Sequence, residues 1–231
     1  MSSSPRHERP LHWIGSAKRD LLDFPDDVVG DFGYGLGVVQ QGGQPPAAKP
    51  WKGEGPGVFG LVEDHRGDTY RVAYTVRFAK AVYVLHCFQK KSPSGIRTAK
   101  TDIDLIHERL KLARNETRCA MAKKTDLVDV GTGDVFKDLG FADADERKLR
   151  TQLAMRLNDL IKERKLTQTA VAGIFGIPQP HISELRNYKL SRFSSERLLH
   201  FITLLDRDVE IVIRPKAANH AAGLVTVLVA A

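Results

Sequence analysis

Cysteine is scarce in this chain. Its 231 residues include two cysteines, Cys87 and Cys119, too few for the disulfide framework of a small secreted protein. The eight histidines are scattered along the sequence, without the closely spaced His and Cys pairs that hold zinc. We therefore expect a cytoplasmic protein that needs no metal and no other cofactor.

A long apolar run is also missing. Residues 1–10 (MSSSPRHERP) lack the apolar segment of a signal peptide, and the apolar run at 221–231 (AAGLVTVLVAA) is too short to cross a bilayer. The sequence thus predicts no membrane contact. We interpret residues 216–231 as a tail that is either a strand or disordered.

Acidic residues are outnumbered in both halves. Residues 1–120 hold 18 Lys and Arg against 14 Asp and Glu, and residues 121–231 hold 17 against 14. A basic surplus shared by both halves fits contact with nucleic acid. On charge alone, a soluble basic protein without such a partner fits equally well.

The first half has the pattern of a small α+β domain. Helical spacing of apolar residues predicts a helix over 11–24 and another over about 26–40. Glycines weaken the second helix, since each costs up to about 1 kcal/mol relative to alanine. Short connections between the next apolar runs predict antiparallel strands at 58–64, 69–78 and 81–90. A closing helix begins near Thr101, where Thr101-x-x-Asp104 is a capping signal.

Several enzyme classes are excluded by motifs that this half lacks. It contains no Gly-rich phosphate loop after a strand and no nucleophile elbow. Cations instead gather at strand ends and in the adjoining loop: Lys49, Lys52, Arg71, Arg77, Lys90 and Lys91. In-line RNA cleavage needs fixed cations of this kind, because negative charge grows on the phosphate. Basic residues at strand ends are, however, more often simply solvated.

The first half contains the stretch YRVAYTVRFAKAVYVLHCFQKKS, which is preceded by QPPAAKPWKG and followed by TAKTDIDLIHERL. These segments resemble the phage-derived, HigB-like branch of the RelE toxin superfamily. The resemblance covers roughly residues 10–114. It implies a RelE-like fold of two N-terminal helices, an antiparallel sheet and a C-terminal helix. It also implies a metal-independent endonuclease that cuts ribosome-bound mRNA.

By this resemblance, Arg71 stabilises the phosphate, and Lys52, Lys90 and Lys91 hold the RNA backbone. No general base is evident, because His86 and Tyr74 are both expected to be core residues. The chain departs from the family at Gly60, where a glutamate is usual. The alternative is therefore a DNA-binding regulator whose RelE-like domain is inactive, and Gly60 is the feature that favours it.

The second half has the pattern of a helix-turn-helix domain. Apolar residues at helical spacing predict a helix over about 146–164. Thr167 can cap a short helix, Gly176 can end it in a left-handed turn, and a proline then opens a second helix. The alternative is a helical bundle whose polar residues are merely solvated. Such a second helix would enter the major groove of DNA.

Five polar residues are candidates for contacts with DNA. Residues 166–194 read LTQTAVAGIFGIPQPHISELRNYKLSRFS and are similar to Cro/repressor-type helix-turn-helix domains. Residues 135–215 as a whole resemble a HigA-like antitoxin. That resemblance assigns one glutamine to the DNA backbone and one to a base edge. The candidates are Gln168, Gln179, His181, Ser183 and Arg186.

A final apolar alternation at 208–215 predicts a short C-terminal strand with Val209, Ile211 and Ile213 facing inward. This strand could pair with its symmetry mate in a dimer or add to the sheet of the first domain. The second domain is therefore expected to be all-α apart from this strand.

The two resemblances together explain the start-like sequence MAKK at Met121. We interpret the chain as a toxin (residues 1–116), a linker (117–134), an antitoxin (135–215) and a tail (216–231). The expected partners are operator DNA, bound as a homodimer, and ribosome-bound mRNA. The toxin domain is expected to be bound by its own antitoxin domain. A further alternative is that both domains act only after proteolysis within 115–135.

Overall fold

The computed structural model describes residues 8–78, 81–90, 99–118, 127–215, 223 and 225–228. The chain divides into two compact units, the first ending at Ala142 and the second beginning at Asp143. Lys91, Met121 and most of the expected tail lie outside the described residues. Within the described ranges, no helix is long and apolar enough to cross a membrane.

The N-terminal unit combines a sheet with four helices among its described residues. Its strands are β1 (Leu11–Ile14), β2 (Lys49–Pro50), β3 (Val58–His65), β4 (Asp68–Thr75), β5 (Val82–Lys90) and β6 (Val128–Val130). Its helices are α1 (Ala17–Leu22), α2 (Asp26–Gln40), α3 (Lys100–Arg118) and α4 (Val135–Asp138). The structure thus confirms the predicted helices at α2 and α3 and the predicted strands at β3, β4 and β5.

The predicted helix over residues 11–24 is wrong in its first part. Residues 11–14 form β1, which pairs in parallel with β5 and antiparallel with β6. Leu11, Trp13 and Ile14 are fully buried there, so packing in the sheet overrides the helical spacing. Gly15 turns the chain at φ 58°, and α1 begins only at Ala17. The sheet is therefore mixed rather than wholly antiparallel, with the order β2-β3-β4-β5-β1-β6.

Helices pack on both faces of this sheet. On one face α2 lies against β3, where a Cβ added to Gly35 would come within 3.1 Å of the Leu61 side chain. On the other face α3 contributes Ile106, Leu110 and Ala113 to a shared apolar core. Arg71 and Lys90 lie on this same face, because Arg71 is opposite Phe88 of that core and Lys90 is two residues beyond Phe88.

Residues 127–142 fold with the N-terminal unit, although the sequence predicts a linker up to residue 134 and a second domain from 135. Strand β6 extends the sheet beside β1, and α4 packs against α2. Val135, Phe136 and Leu139 are buried by these contacts. Sequence periodicity could not reveal this placement, because one strand of three residues and one helix of four are too short to carry a period.

The C-terminal unit is helical, as predicted. It contains α5 (Ala144–Glu163), α6 (Gln168–Phe175), α7 (Gln179–Arg186) and α8 (Ser195–Leu204). The core includes Val171, Ile182 and Leu185, and the rings of Phe175 and Phe201 stack with centroids 4.2 Å apart. These apolar contacts hold the two short helices α6 and α7 in place.

The predicted C-terminal strand is absent from the described residues. Residues 208–215 have no regular secondary structure, and Ile211 and Ile213 are 81% and 93% exposed. Val209 is 37% exposed, so the three side chains do not face inward as expected. An alternating pattern forms a strand only where a neighbouring strand supplies hydrogen bonds, and no described segment of this chain does so here.

Candidate nucleic-acid interfaces

Strand register brings two of the predicted catalytic cations together. Arg71 on β4 lies opposite Phe88 on β5, and Lys90 lies opposite Thr69 two residues further along. Directly opposed residues of an antiparallel pair point to the same face, so Arg71 and Lys90 are diagonal neighbours on one face of the sheet. Both side chains are half-buried. Lys91, the next predicted cation, lies outside the described residues.

Aromatic rings adjoin this pair of cations. Phe88 stacks against His86 with centroids 5.0 Å apart, and Trp51 meets Phe88 edge-on at 6.4 Å. The Trp51 ring lies over Gly60, where an added Cβ would come within 3.0 Å of Trp51 Cε3. The residue that departs from the family pattern is thus the one that lets Trp51 approach the sheet. Cations beside flat aromatic faces can bind the phosphates and the bases of single-stranded RNA.

Lys52 is exposed on the loop between β2 and β3. The structure joins it to neither Arg71 nor Lys90 by any described contact. Its loop is held by Arg77, whose guanidinium donates to the carbonyl oxygens of Glu54 and Pro56. The Glu54 carboxylate in turn pairs with His107 Nδ1 on α3 at 3.0 Å. Arg77 therefore shapes the loop, although the sequence places it among the candidate cations.

The second interface is built from α6 and α7. The Thr167 hydroxyl accepts a hydrogen bond from the Ala170 amide at 3.2 Å, which caps α6 as predicted. Gly176 ends α6 in the left-handed conformation at φ 63°. Pro178 then occupies the position before α7 with no side-chain capping bond, and Ile182 and Leu185 bury the inner face of α7. The remaining faces of α7 are left for polar residues.

Two glutamines are joined at the start of these helices. Gln179, the first residue of α7, donates from Nε2 to Oε1 of Gln168, the first residue of α6. Gln179 keeps an N–H donor and a carbonyl acceptor, which is the pair that matches the N7 and N6 positions of adenine. Gln168 keeps its own amide donors, which suit a phosphate oxygen.

The other candidates lie along α7. Ser183 and Arg186 follow Gln179 by one and two turns, so the three side chains share one side of the helix. Arg186 is exposed and Ser183 is half-exposed. His181 lies to one side, where its Nε2 accepts from Arg192 at 3.0 Å. The structure thus brings Gln168, Gln179, Ser183 and Arg186 to one edge of the unit, with His181 beside them.

Comparison with protein families separates the same two regions. Residues 19–111 match a family described as phage-derived protein Gp49-like, and residues 135–214 match a helix-turn-helix domain. One solved structure, described as a candidate XRE family transcriptional regulator, is 49% identical with a TM-score of 0.37, covering 38% of this chain and 99% of its own. The comparison with curated proteins gives no match.

The chain joins a Gp49-like domain to a helix-turn-helix domain. The match to the Gp49-like family ends within α3, whereas the compact N-terminal unit continues to Ala142. The helix-turn-helix match begins at Val135, within that same unit. Residues 135–142 therefore match one family while they fold with the other domain.

A polar network is buried in the Gp49-like domain, beside the sheet face that carries Arg71 and Lys90. Arg109 donates to the Leu85 carbonyl at 2.9 Å, to Ser16 Oγ at 2.7 Å and to His86 Nδ1 at 3.4 Å. His86 Nε2 lies 3.1 Å from Asp102 Oδ1. Because arginine can only donate, Nδ1 of His86 carries no proton and Nε2 donates to Asp102.

Burial lowers the pKa of His86, despite the hydrogen bond to Asp102, and the Arg109 charge lowers it further. His86 is 7% exposed and Tyr74 is 1% exposed, as expected of core residues. Burial also raises the pKa of Tyr74. These two groups are therefore positioned for packing rather than for proton transfer to solvent-exposed RNA.

The sequence did not indicate three residues at these interfaces, which are Arg192, Glu184 and Trp51. Arg192 pairs with Glu184 at 2.7 Å as well as with His181, and so fixes the exposed side of α7. Only the bend between α7 and α8 brings Arg192 there, so no helical spacing could indicate it. Trp51 was the third, and its contact with Gly60 depends on the pairing of β2 with β3.

Proposed function

We propose that the chain is a DNA-binding transcriptional regulator fused to a toxin-like domain that acts on RNA. The observation that carries the DNA-binding part is the exposed end of α7, where Gln179 is held by Gln168. A glutamine fixed in this way reads adenine in the major groove, and Arg186 contacts guanine or phosphate two turns further on. Binding as a homodimer would place two copies of α7 on successive half-sites.

The proposed DNA target is the operator of the chain's own operon. A fluorescence-anisotropy titration of the full chain with the upstream region of its gene tests this, with a scrambled duplex as the control. Specific binding should exceed non-specific binding by about 10³-fold or more at physiological salt. Equal affinity for both duplexes would refute sequence-specific regulation.

The RNA-directed part of the proposal follows the resemblance to HigB-like toxins. Arg71 would stabilise charge on the phosphate, Lys90, Lys91 and Lys52 would hold the backbone, and Trp51 would offer a surface for a base. The Gp49-like domain would then be a ribosome-dependent mRNA endonuclease, and in the intact chain the covalently linked helix-turn-helix domain would restrain it. Neither a metal nor a cofactor enters this mechanism.

Cell-free translation followed by primer extension on the mRNA tests the nuclease. The fragment for comparison with the full chain is 1–142, because a fragment ending near residue 117 lacks β6 and α4. If 1–142 cuts and the full chain does not, the domain is an endonuclease restrained by its partner. If neither cuts on the ribosome, the nuclease proposal fails.

A second candidate is a DNA-binding regulator with an inactive Gp49-like domain. The approach of Trp51 to Gly60 favours it, because a Cβ at residue 60 would lie 3.0 Å from Trp51 Cε3, which leaves little room for the glutamate that HigB-like toxins usually carry there. Gly60→Glu alone would displace Trp51, so the informative variant is Gly60→Glu with Trp51→Ala. In residues 1–142, cleavage by this double variant but not by the unaltered fragment would support the inactive domain.

A further inference from the structure

The segment from residue 127 to Ala142 lies beyond the Gp49-like match but folds with the N-terminal unit. It follows the Gp49-like match, which ends at residue 111, and it runs into the helix-turn-helix match, which begins at 135. In the folded chain it belongs to the compact unit of the Gp49-like domain. We call residues 127–142 the docking segment.

Backbone hydrogen bonds join the first part of the docking segment to β1. Strand β6 pairs antiparallel with β1, with Val128 opposite Ile14 and Val130 opposite His12. The ladder is extended at both ends, because the Gly15 amide donates to Leu127 at 2.8 Å and the Gly131 amide donates to Leu11 at 3.1 Å. The segment thus covers a sheet edge that β1 would otherwise expose.

Helix α4 fills a recess on α2 that contains a glycine. A Cβ added to Gly33 would come within 3.3 Å of the Phe136 ring and 3.4 Å of Leu139. The Phe136 ring also meets Tyr34 edge-on at 5.4 Å, and Phe136 is 1% exposed. Glycine inside a helix is unfavourable by itself, so its presence here is explained by the side chains that it admits.

Two buried polar groups of the Gp49-like domain have partners in the docking segment. Gln40, which is 2% exposed, donates to the Gly133 carbonyl at 2.6 Å and accepts from the Val135 amide at 3.2 Å. The indole N–H of Trp13 donates to Asp138 at 3.3 Å. Without the segment, both groups would lose these buried hydrogen bonds, which makes the contact specific as well as apolar.

We propose that the docking segment is the element by which the helix-turn-helix half of the chain holds the Gp49-like domain, so that the two halves stay together without a covalent link. This deepens the restraint put forward under the proposed function, and it rests on that proposal only for its biological purpose. Proteolysis between residues 118 and 127 would then leave a two-chain complex, and would not release the Gp49-like domain.

The test uses the full chain with a protease recognition sequence placed within residues 119–126. The folded protein is cut, and the association of the fragments is measured by size-exclusion chromatography and by dilution. The fragments should co-elute at micromolar concentration. Separation of the unaltered fragments under these conditions overturns the proposal.

Matched variants assign the association to the docking segment. Phe136→Ala should weaken it by about 100-fold or more, because a fully buried ring is lost. Val130→Ala, on the same segment but 42% exposed, should change it by less than about threefold. Equal effects of the two variants would contradict the proposal.

A peptide covers the case in which Phe136→Ala fails to fold. A synthetic peptide of residues 127–142, in large excess over the cut complex, should displace the helix-turn-helix fragment, and the same peptide with Phe136→Ala should not. Cut fragments that stay associated in the presence of the unaltered peptide would show that another contact holds them. Because neither RNA nor DNA is present, these results are independent of nuclease activity and of operator binding.

Discussion

The two candidate interfaces of this protein differ in how far apart in sequence their residues lie. In the helix-turn-helix domain, Gln179, Ser183 and Arg186 come from one helix of eight residues. Gln168, which holds Gln179, lies only eleven positions before it. In the Gp49-like domain, Trp51, Arg71 and Lys90 come from three separate segments joined by strand pairing. Local turn chemistry places the first set, whereas sheet register places the second.

A similar contrast applies to the buried residues. Phe201 packs among helices that all belong to the helix-turn-helix domain, with Phe175 and Phe193 as ring neighbours. Phe136 lies in a segment that matches the helix-turn-helix family but packs on the Gp49-like domain. Phe201 therefore stabilises the helix-turn-helix domain and Phe136 stabilises the Gp49-like domain. From its position in the sequence alone, Phe136 would be assigned to the helix-turn-helix domain.

The largest expected effect separates these two phenylalanines. Phe136→Ala should lower the free energy of unfolding of the Gp49-like domain by about 3–5 kcal/mol, and Phe201→Ala should lower that of the helix-turn-helix domain by a similar amount. Labelling of Cys87, which is 2% exposed and whose pKa is raised by burial, reports opening of the first domain in a Cys119→Ser background. Faster Cys87 labelling in Phe201→Ala than in Phe136→Ala would reverse the assignment.

Loss of Arg71 should come next in size. If the sheet face that carries Arg71 and Lys90 cleaves RNA, Arg71→Ala in residues 1–142 should slow cleavage on the ribosome by about 10²–10³-fold. The reason is that a fixed cation at the phosphate is lost. Arg66→Gln, which removes an equal charge from the exposed turn between β3 and β4, is the control and should change the rate little. Primer extension measures both variants, and equal losses would indicate only non-specific electrostatics.

Loss of the recognition glutamine should have a smaller effect. Gln179→Ala should weaken binding to the operator by about 1–3 kcal/mol and relax the preference at one base pair, with little change in the salt dependence. Lys162→Ala, on the exposed side of α5, serves as the control for general charge. Anisotropy titrations at two salt concentrations distinguish base contact from phosphate contact, and an altered salt slope for Gln179→Ala would contradict its assignment to a base.

The smallest expected effect concerns pH. The folded-state pKa of His86 is lowered from its ordinary value of 6.5, so the unfolded chain binds more protons than the folded chain below that value. The free energy of unfolding of the Gp49-like domain should therefore fall as the pH decreases from 6.5 towards the folded-state pKa. His86→Gln should reduce this dependence, whereas His181→Gln in the other domain should leave it unchanged. Denaturant titrations monitored by Cys87 labelling give both slopes.

The sequence by itself determined the helix-turn-helix architecture and most of the central strands. Thr167, Gly176 and Pro178 act within one or two turns of their own positions, so local chemistry sets the ends of α6 and α7. The alternation in β4 is likewise local, because successive side chains of a strand face opposite sides. Positions that depend on neighbours in sequence could therefore be predicted.

Only the tertiary structure decided the course of residues 11–14 and 127–142 and the place of Trp51. Four residues of β1 and three of β6 adopt strands because a neighbouring strand satisfies their backbone groups, and no periodicity in so few residues indicates this. At 208–215 the converse holds, since an alternating pattern without a described partner forms no strand. The approaches of Trp51 to Gly60 and of Phe136 to Gly33 depend on distant segments meeting, and a glycine in a sequence does not state which side chain will occupy the space beside it.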